Sequence, residues 1–139
     1  MIILDTNILV RYVTQDDPGQ AQQVNQLIEA YDSIPNSMLI PDEVVIEATW
    51  VLSSCYERPR EEIYAFLSQM AQVESFSFED DDLMREAIRI FGETHLDIAD
   101  ILLVILARRH KSKLVTFDNE LRKAFPRYTN LPSEVGHQT

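Results

Sequence analysis

Short apolar runs alternate along the chain with longer stretches in which apolar residues recur every three or four positions. The runs at residues 2–4 (Ile2, Ile3, Leu4), 38–40 (Met38, Leu39, Ile40) and 114–117 (Leu114, Val115, Thr116, Phe117) have strand length and predict short buried strands. Residues 73–78 alternate with Glu74, Ser75 and Ser77 and predict an outer strand. The three-to-four spacing predicts helices over 8–13, 20–31, 43–56 and 61–72. A further helix starts in the acidic run 79–82 and is ended by Gly92. In the 43–56 helix, Val44, Ala48, Val51, Leu52 and Cys55 form the apolar stripe; Glu47 falls on it and is predicted to point inward. Residues 98–107 are apolar on every face except at Asp100, which predicts a fully buried helix. Around Pro126, Tyr128 and Leu131 a last short strand or loop is expected, and residues 132–139 read as a flexible tail. Helices alternating with apolar strands point to an α/β fold, a parallel sheet covered on both faces. No repeat or linker divides it, so one domain over 1–131 is expected.

Carboxylates change this picture. Asp5 ends the first strand and Asp118 ends the run at 114–117, and parallel sheets collect ligands at the carboxyl ends of their strands. Asp97 and Asp100 open the most apolar helix, where an acid is costly unless a cation or donors satisfy it. With Glu47, the acids Asp5, Asp100 and Asp118 come from four separate elements. Packed together they repel, and a hard cation, Mg²⁺ or Mn²⁺, relieves the repulsion. They are the candidate metal ligands and water-positioning groups. Thr6, Asn7 and Thr116 are candidates to hydrogen-bond these carboxylates or metal-bound waters, or are equally turn and cap groups. Asp97 is read as a helix cap, with auxiliary ligand as the alternative. Asp42 reads as another cap, and Glu79 to Asp82 as a solvated helix start complementing the dipole. His95, His110 and His137 have no metal-binding spacing. Trp50 and Ile46 read as a core edge, or else a dimer surface.

The 139 residues carry a net charge of −11, which by itself argues against a nucleic-acid binder. The distribution is uneven. Residues 108–127 hold seven basic residues (Arg108, Arg109, Lys111, Lys113, Arg122, Lys123, Arg127) against two acids, Asp118 and Glu120, a net +5. That segment is a candidate basic rim for a phosphate backbone beside the acids. Cys55 is the single cysteine, so no intrachain disulfide forms; a small apolar packing role in a reducing compartment is expected. Asp5 interrupts the first apolar run, which lacks a basic start, and no run approaches membrane-spanning length, so a cytoplasmic protein is expected.

Four segments together resemble the PIN domain family, and within it the VapC-type toxins of bacterial toxin–antitoxin pairs: LDTNILV, PDEVVIEATWVL, LDIADILLVILA and LVTFDNEL. The resemblance implies a three-layer sandwich with a parallel sheet of about five short strands. It implies an acidic quartet at Asp5, Glu47, Asp100 and Asp118, with Thr116 and Asp118 forming the family's TxD element. It further implies a Mg²⁺- or Mn²⁺-dependent ribonuclease acting on single-stranded RNA, a homodimer, and a small antitoxin partner. Other acidic phosphate-handling sites fit poorly. A haloacid-dehalogenase-type phosphatase needs an Asp where Asn7 stands, and a receiver domain needs a lysine after the last strand, whereas Lys111 and Lys113 precede it. An RNA-processing nuclease without an antitoxin, and a silent scaffold of the same fold, are the remaining alternatives.

Overall fold

All strand pairings among the described residues are parallel; two crossovers are made by pairs of helices and the third by a single short helix. The structure, a computed structural model, describes residues 1–135. Strand β1 (Ile2–Ile3) leads through α1 (Thr6–Thr14) and α2 (Pro18–Tyr31) to β2 (Met38–Ile40). Then α3 (Asp42–Ser54) and α4 (Arg60–Gln72) lead to β3 (Phe76–Phe78). After α5 (Asp81–Glu93) and α6 (Ile98–Arg109) come β4 (Leu114–Val115), α7 (Asn119–Ala124), β5 (Thr129–Asn130) and the short α8 (Pro132–Val135). The five strands of the described residues divide into a three-stranded sheet, order β1-β2-β3, and a separate two-stranded sheet of β4 and β5. Ile2 pairs with Met38, Met38 with Phe76, and Leu114 with Thr129. β1 and β4 span only two residues each, which leaves few ladder positions with which to join the sheets.

The core lies between strands and helices, with Leu4, Met38 and Ile40 against Val45, Leu52, Met84, Ile101 and Ile105, all essentially without exposure. α5 and α6 make the most extensive helix pair: Leu83, Met84, Ala87 and Ile88 of one helix and Ile98, Ile101, Val104 and Ile105 of the other are buried. Hydrophobic burial of this kind is the main term holding the fold.

Several expectations are corrected. α6 is not buried all round: Leu103 and Leu106, one turn apart, are 46% and 45% exposed. The run at 114–117 is not a buried strand either. Only Leu114 and Val115 pair, and Val115 and Phe117 are exposed, because the strand belongs to the small sheet. Cys55 sits beyond the last turn of α3 and is exposed rather than packed. Helix α7 was not expected; its signals are Asp118 at the cap and buried Leu121 one turn on. Pro132–Val135 form a helical turn where a tail was expected; the remainder of that segment, with His137, lies outside the described residues.

Gly92 does not end α5. The helix runs on to Glu93, and no described glycine has positive φ. The glycine is needed for space instead, since a Cβ at this position would overlap the Tyr64 ring of α4. Gly92→Ala is therefore expected to destabilise by about 1 kcal/mol through overpacking. In a Tyr64→Ala background the same change should stabilise, by about 1 kcal/mol of helix propensity. Urea midpoints of the four proteins test the reversal of sign.

Asp42 is not the cap of α3 but its first residue; Pro41 holds the cap position without a side-chain bond. The Asp42 backbone N–H donates to the Glu79 carboxylate at 2.9 Å, while Asp42 Oδ1 is buried without a partner. Burial raises the Asp42 pKa, and Glu79 and Asp80 add to the rise. An acid raised in the folded state costs stability at pH above both its folded and unfolded values, and the cost vanishes below the ordinary carboxylate value of about 3.9. Asp42→Asn is expected to raise the urea midpoint at neutral pH, and the gain should disappear in acid. A midpoint lowered at neutral pH would contradict this.

Candidate functional site

Two of the candidate acids are placed by the same device, a strand that ends in an aspartate capping the next helix. Asp5, extended at φ −80° and ψ 162°, caps α1, and its carboxylate accepts the Thr6 N–H at 2.7 Å. Asp118 caps α7 and accepts the Leu121 N–H at 3.0 Å. Its own N–H donates to Thr116 Oγ1 at 3.1 Å, so the threonine of the TxD element orients the aspartate. Both carboxylates are exposed, and both gain from the positive end of the helix they cap. Thr6 is buried, whereas Asn7 is exposed and lines a cleft with Arg11 and Gln20, between α1 and α2.

Asp97 and Asp100 open α6. Asp97 occupies the cap position but its carboxylate makes no capping hydrogen bond, so the expected cap is one of position only. Asp100, one turn on, is half-buried. Burial pushes its carboxyl above the usual range, and the negative charges of Asp97 and Asp118 push it further. The structure thus brings Asp97 of the same helix and Asp118, from beyond β4, within electrostatic reach of Asp100.

Glu47 departs from expectation: it is exposed. The buried face of α3 is formed by Val44, Val45, Ala48, Thr49 and Leu52. At about 100° per residue Glu47 lies about 130° from the centre of that face. The apolar stripe read from the sequence was displaced by Cys55 and Val51, which are not buried. α3 nevertheless packs against both α1 and α6, which sets the Glu47 helix beside those carrying Asp5 and Asp100.

None of Asp5, Glu47, Asp97, Asp100 and Asp118 forms an ion pair among the described residues, whereas Asp16, Asp80 and Glu86 do. The expected basic rim is partly spent on this pairing. Arg108 pairs with Glu86, Arg109 with Asp80 at 2.5 Å, and the Lys113 ammonium donates to the Arg127 carbonyl.

The acids supply hard carboxylate oxygens carrying unrelieved negative charge, the donor chemistry that suits Mg²⁺ or Mn²⁺. Among the described residues no three of His, Cys, Asp and Glu cluster tightly enough to hold a metal by themselves. No described helix is long and apolar enough to cross a membrane.

The family model for the PIN domain matches residues 2–125. Over 124 residues the chain is 26% identical to a VapC ribonuclease of Aquifex aeolicus (strain VF5), covering 88% of this chain and 91% of that protein. With parallel strands wrapped by helices, acids at the ends of β1 and β4 and at the start of α6, and a match over nearly its whole length, the chain belongs to the PIN domain family.

Proposed function

We propose that the chain is a metal-dependent endoribonuclease that hydrolyses phosphodiester bonds of single-stranded RNA, and that it is the toxin of a type II toxin–antitoxin pair. The observation that carries the reading is the unpaired group Asp97, Asp100 and Asp118, with Asp100 half-buried, in a PIN domain similar to a VapC ribonuclease. Asp5, Glu47, Asp100 and Asp118 would hold one or two Mg²⁺ or Mn²⁺ ions, with Asp97 auxiliary. Bound there, the metal supplies water activation and charge neutralisation on the phosphodiester. The protein's share is positioning. Thr116 orients Asp118, Thr6 and the α1 backbone fix Asp5, and the buried side of α6 holds Asp100 at the rim. A net charge of −11 suits a basic antitoxin, and a cytoplasmic homodimer completes the reading.

The test is cleavage of tRNA, ribosomal RNA and messenger RNA by the purified protein in Mg²⁺, in Mn²⁺ and in EDTA, beside Asp5→Asn. Cutting that needs metal and disappears in the variant supports the assignment. Cutting that persists in EDTA would sink it. Co-purification with a small basic protein whose gene lies beside this one tests the antitoxin.

A further inference from the structure

A cleft of about 410 Å³ opens between α3, α4 and the first turn of α6, in the size range of ligand pockets. Of the residues lining it, only Asp97 has a part in the chemistry assigned above. On its walls are Trp50 and Ser53 of α3, Arg60 of α4, Phe91 of α5 and Asp97. Trp50 is 63% exposed, not the core edge its sequence position suggested, and it is the chain's only tryptophan. An indole standing in water beside a cleft is a large stacking surface without a partner.

Arg60 is the opposite case, a cation that is fixed. Its guanidinium lies 3.7 Å over the Phe91 ring, and Nε and Nη2 donate to the Phe91 carbonyl at 3.2 and 3.0 Å. Nη2 also donates to the Leu96 carbonyl. Nη1 makes no hydrogen bond among the described residues, and Arg60 lines the cleft. Ser53 adds an exposed hydroxyl. An exposed aromatic face, a held guanidinium and a hydroxyl form the combination that takes up an unpaired nucleobase: stacking supplies affinity, while the polar groups meet its edge or phosphate.

The cleft also adjoins the acids. Asp97 lines it at the cap of α6, one turn before Asp100, and Glu47 precedes Trp50 by one turn of α3. A strand with its phosphate at Asp100 therefore has a neighbouring nucleotide beside the cleft. We propose that this cleft is a base-binding subsite of the nuclease, in which an unpaired nucleobase flanking the scissile phosphate stacks on Trp50 beside Arg60. The inference rests on the ribonuclease reading above.

Being the single tryptophan, Trp50 reports its own occupancy. In Mg²⁺, the Asp100→Asn protein, which should bind without cutting, is titrated with a single-stranded RNA of about eight nucleotides and mixed sequence. Quenching of the indole fluorescence is expected, and Trp50→Ala should weaken binding about five- to hundredfold while Trp50→Phe retains most of it. In cleavage by otherwise wild-type protein, Trp50→Ala should raise KM and leave kcat at saturating RNA nearly unchanged. Unmoved fluorescence, with Kd and KM unchanged in Trp50→Ala, overturns the subsite while RNA cleavage keeps the nuclease assignment. If the folded wild type cuts no RNA and the octamer does not bind, both readings fall. If Trp50→Ala sediments as a smaller species with unaltered RNA affinity, the face belongs to a second copy of the chain and the subsite is overturned.

Discussion

Asp100→Asn is expected to lower kcat for RNA cleavage by about 10³-fold or more without destabilising the metal-free protein. The first half follows from charge. Asp100 is the half-buried acid of the group, and the substitution keeps its shape but removes the anion that would hold the metal. Metal stabilisation of phosphoryl charge contributes several kcal/mol, and each 1.36 kcal/mol is tenfold in rate. The second half follows from the same environment read in the other direction. Burial first, then Asp97 and Asp118, disfavour the charged carboxylate, so its pKa is raised. A raised acid costs stability at neutral pH, a cost absent below its ordinary value, and the neutral amide removes that cost. In EDTA the urea midpoint of Asp100→Asn should equal or exceed the wild type's. Activity lost together with stability would indicate damage to α6 rather than to the chemistry, and activity retained would remove Asp100 from the site.

One residue further along, the balance is reversed. Ile101→Ala is expected to destabilise by about 2–5 kcal/mol, and Ile101→Val by about 0.5–1.5 kcal/mol. Ile101 is fully buried in the core cluster, on the helix whose most extensive contact is with α5. Truncation removes buried methyl and methylene groups and leaves a cavity in the core. Against a typical total stability of about 5–15 kcal/mol this is a large fraction. The first turn of α6, with Asp97 and Asp100, is held in place by this packing, so cleavage should fall with temperature earlier than in the wild type. Urea denaturation at an unchanged m-value measures the loss. A loss below about 1 kcal/mol would mean that the surrounding core collapses to fill the space.

Asp100 and Ile101 also mark what could be read from the chain alone. Apolar runs of strand length, separated by stretches with helical spacing, specify the parallel α/β architecture, because strand and helix periodicities are local properties of the chain. Asp5 and Asp118 were legible at strand ends for the same reason, and so were the acids that begin α5 and α6. Which faces are covered was not legible. Glu47, Cys55, Leu103, Leu106 and Phe117 lie in segments whose composition implies burial, yet they are exposed. An apolar pattern says that a face can be buried; only the packing of distant elements says whether something lies on it. Nothing in the sequence around Arg60 showed its guanidinium held over Phe91, a contact across 31 residues of chain. Nor could the sequence show that Asp97 stands at a cap position without capping, because that depends on side-chain direction once α6 has docked. Element type and the strand-end acids were settled by local chemistry. The exposure of Glu47, the cleft beside Trp50 and the charge environment of Asp100 were decided by tertiary packing, since solvent exclusion and electrostatic reach depend on distance in space.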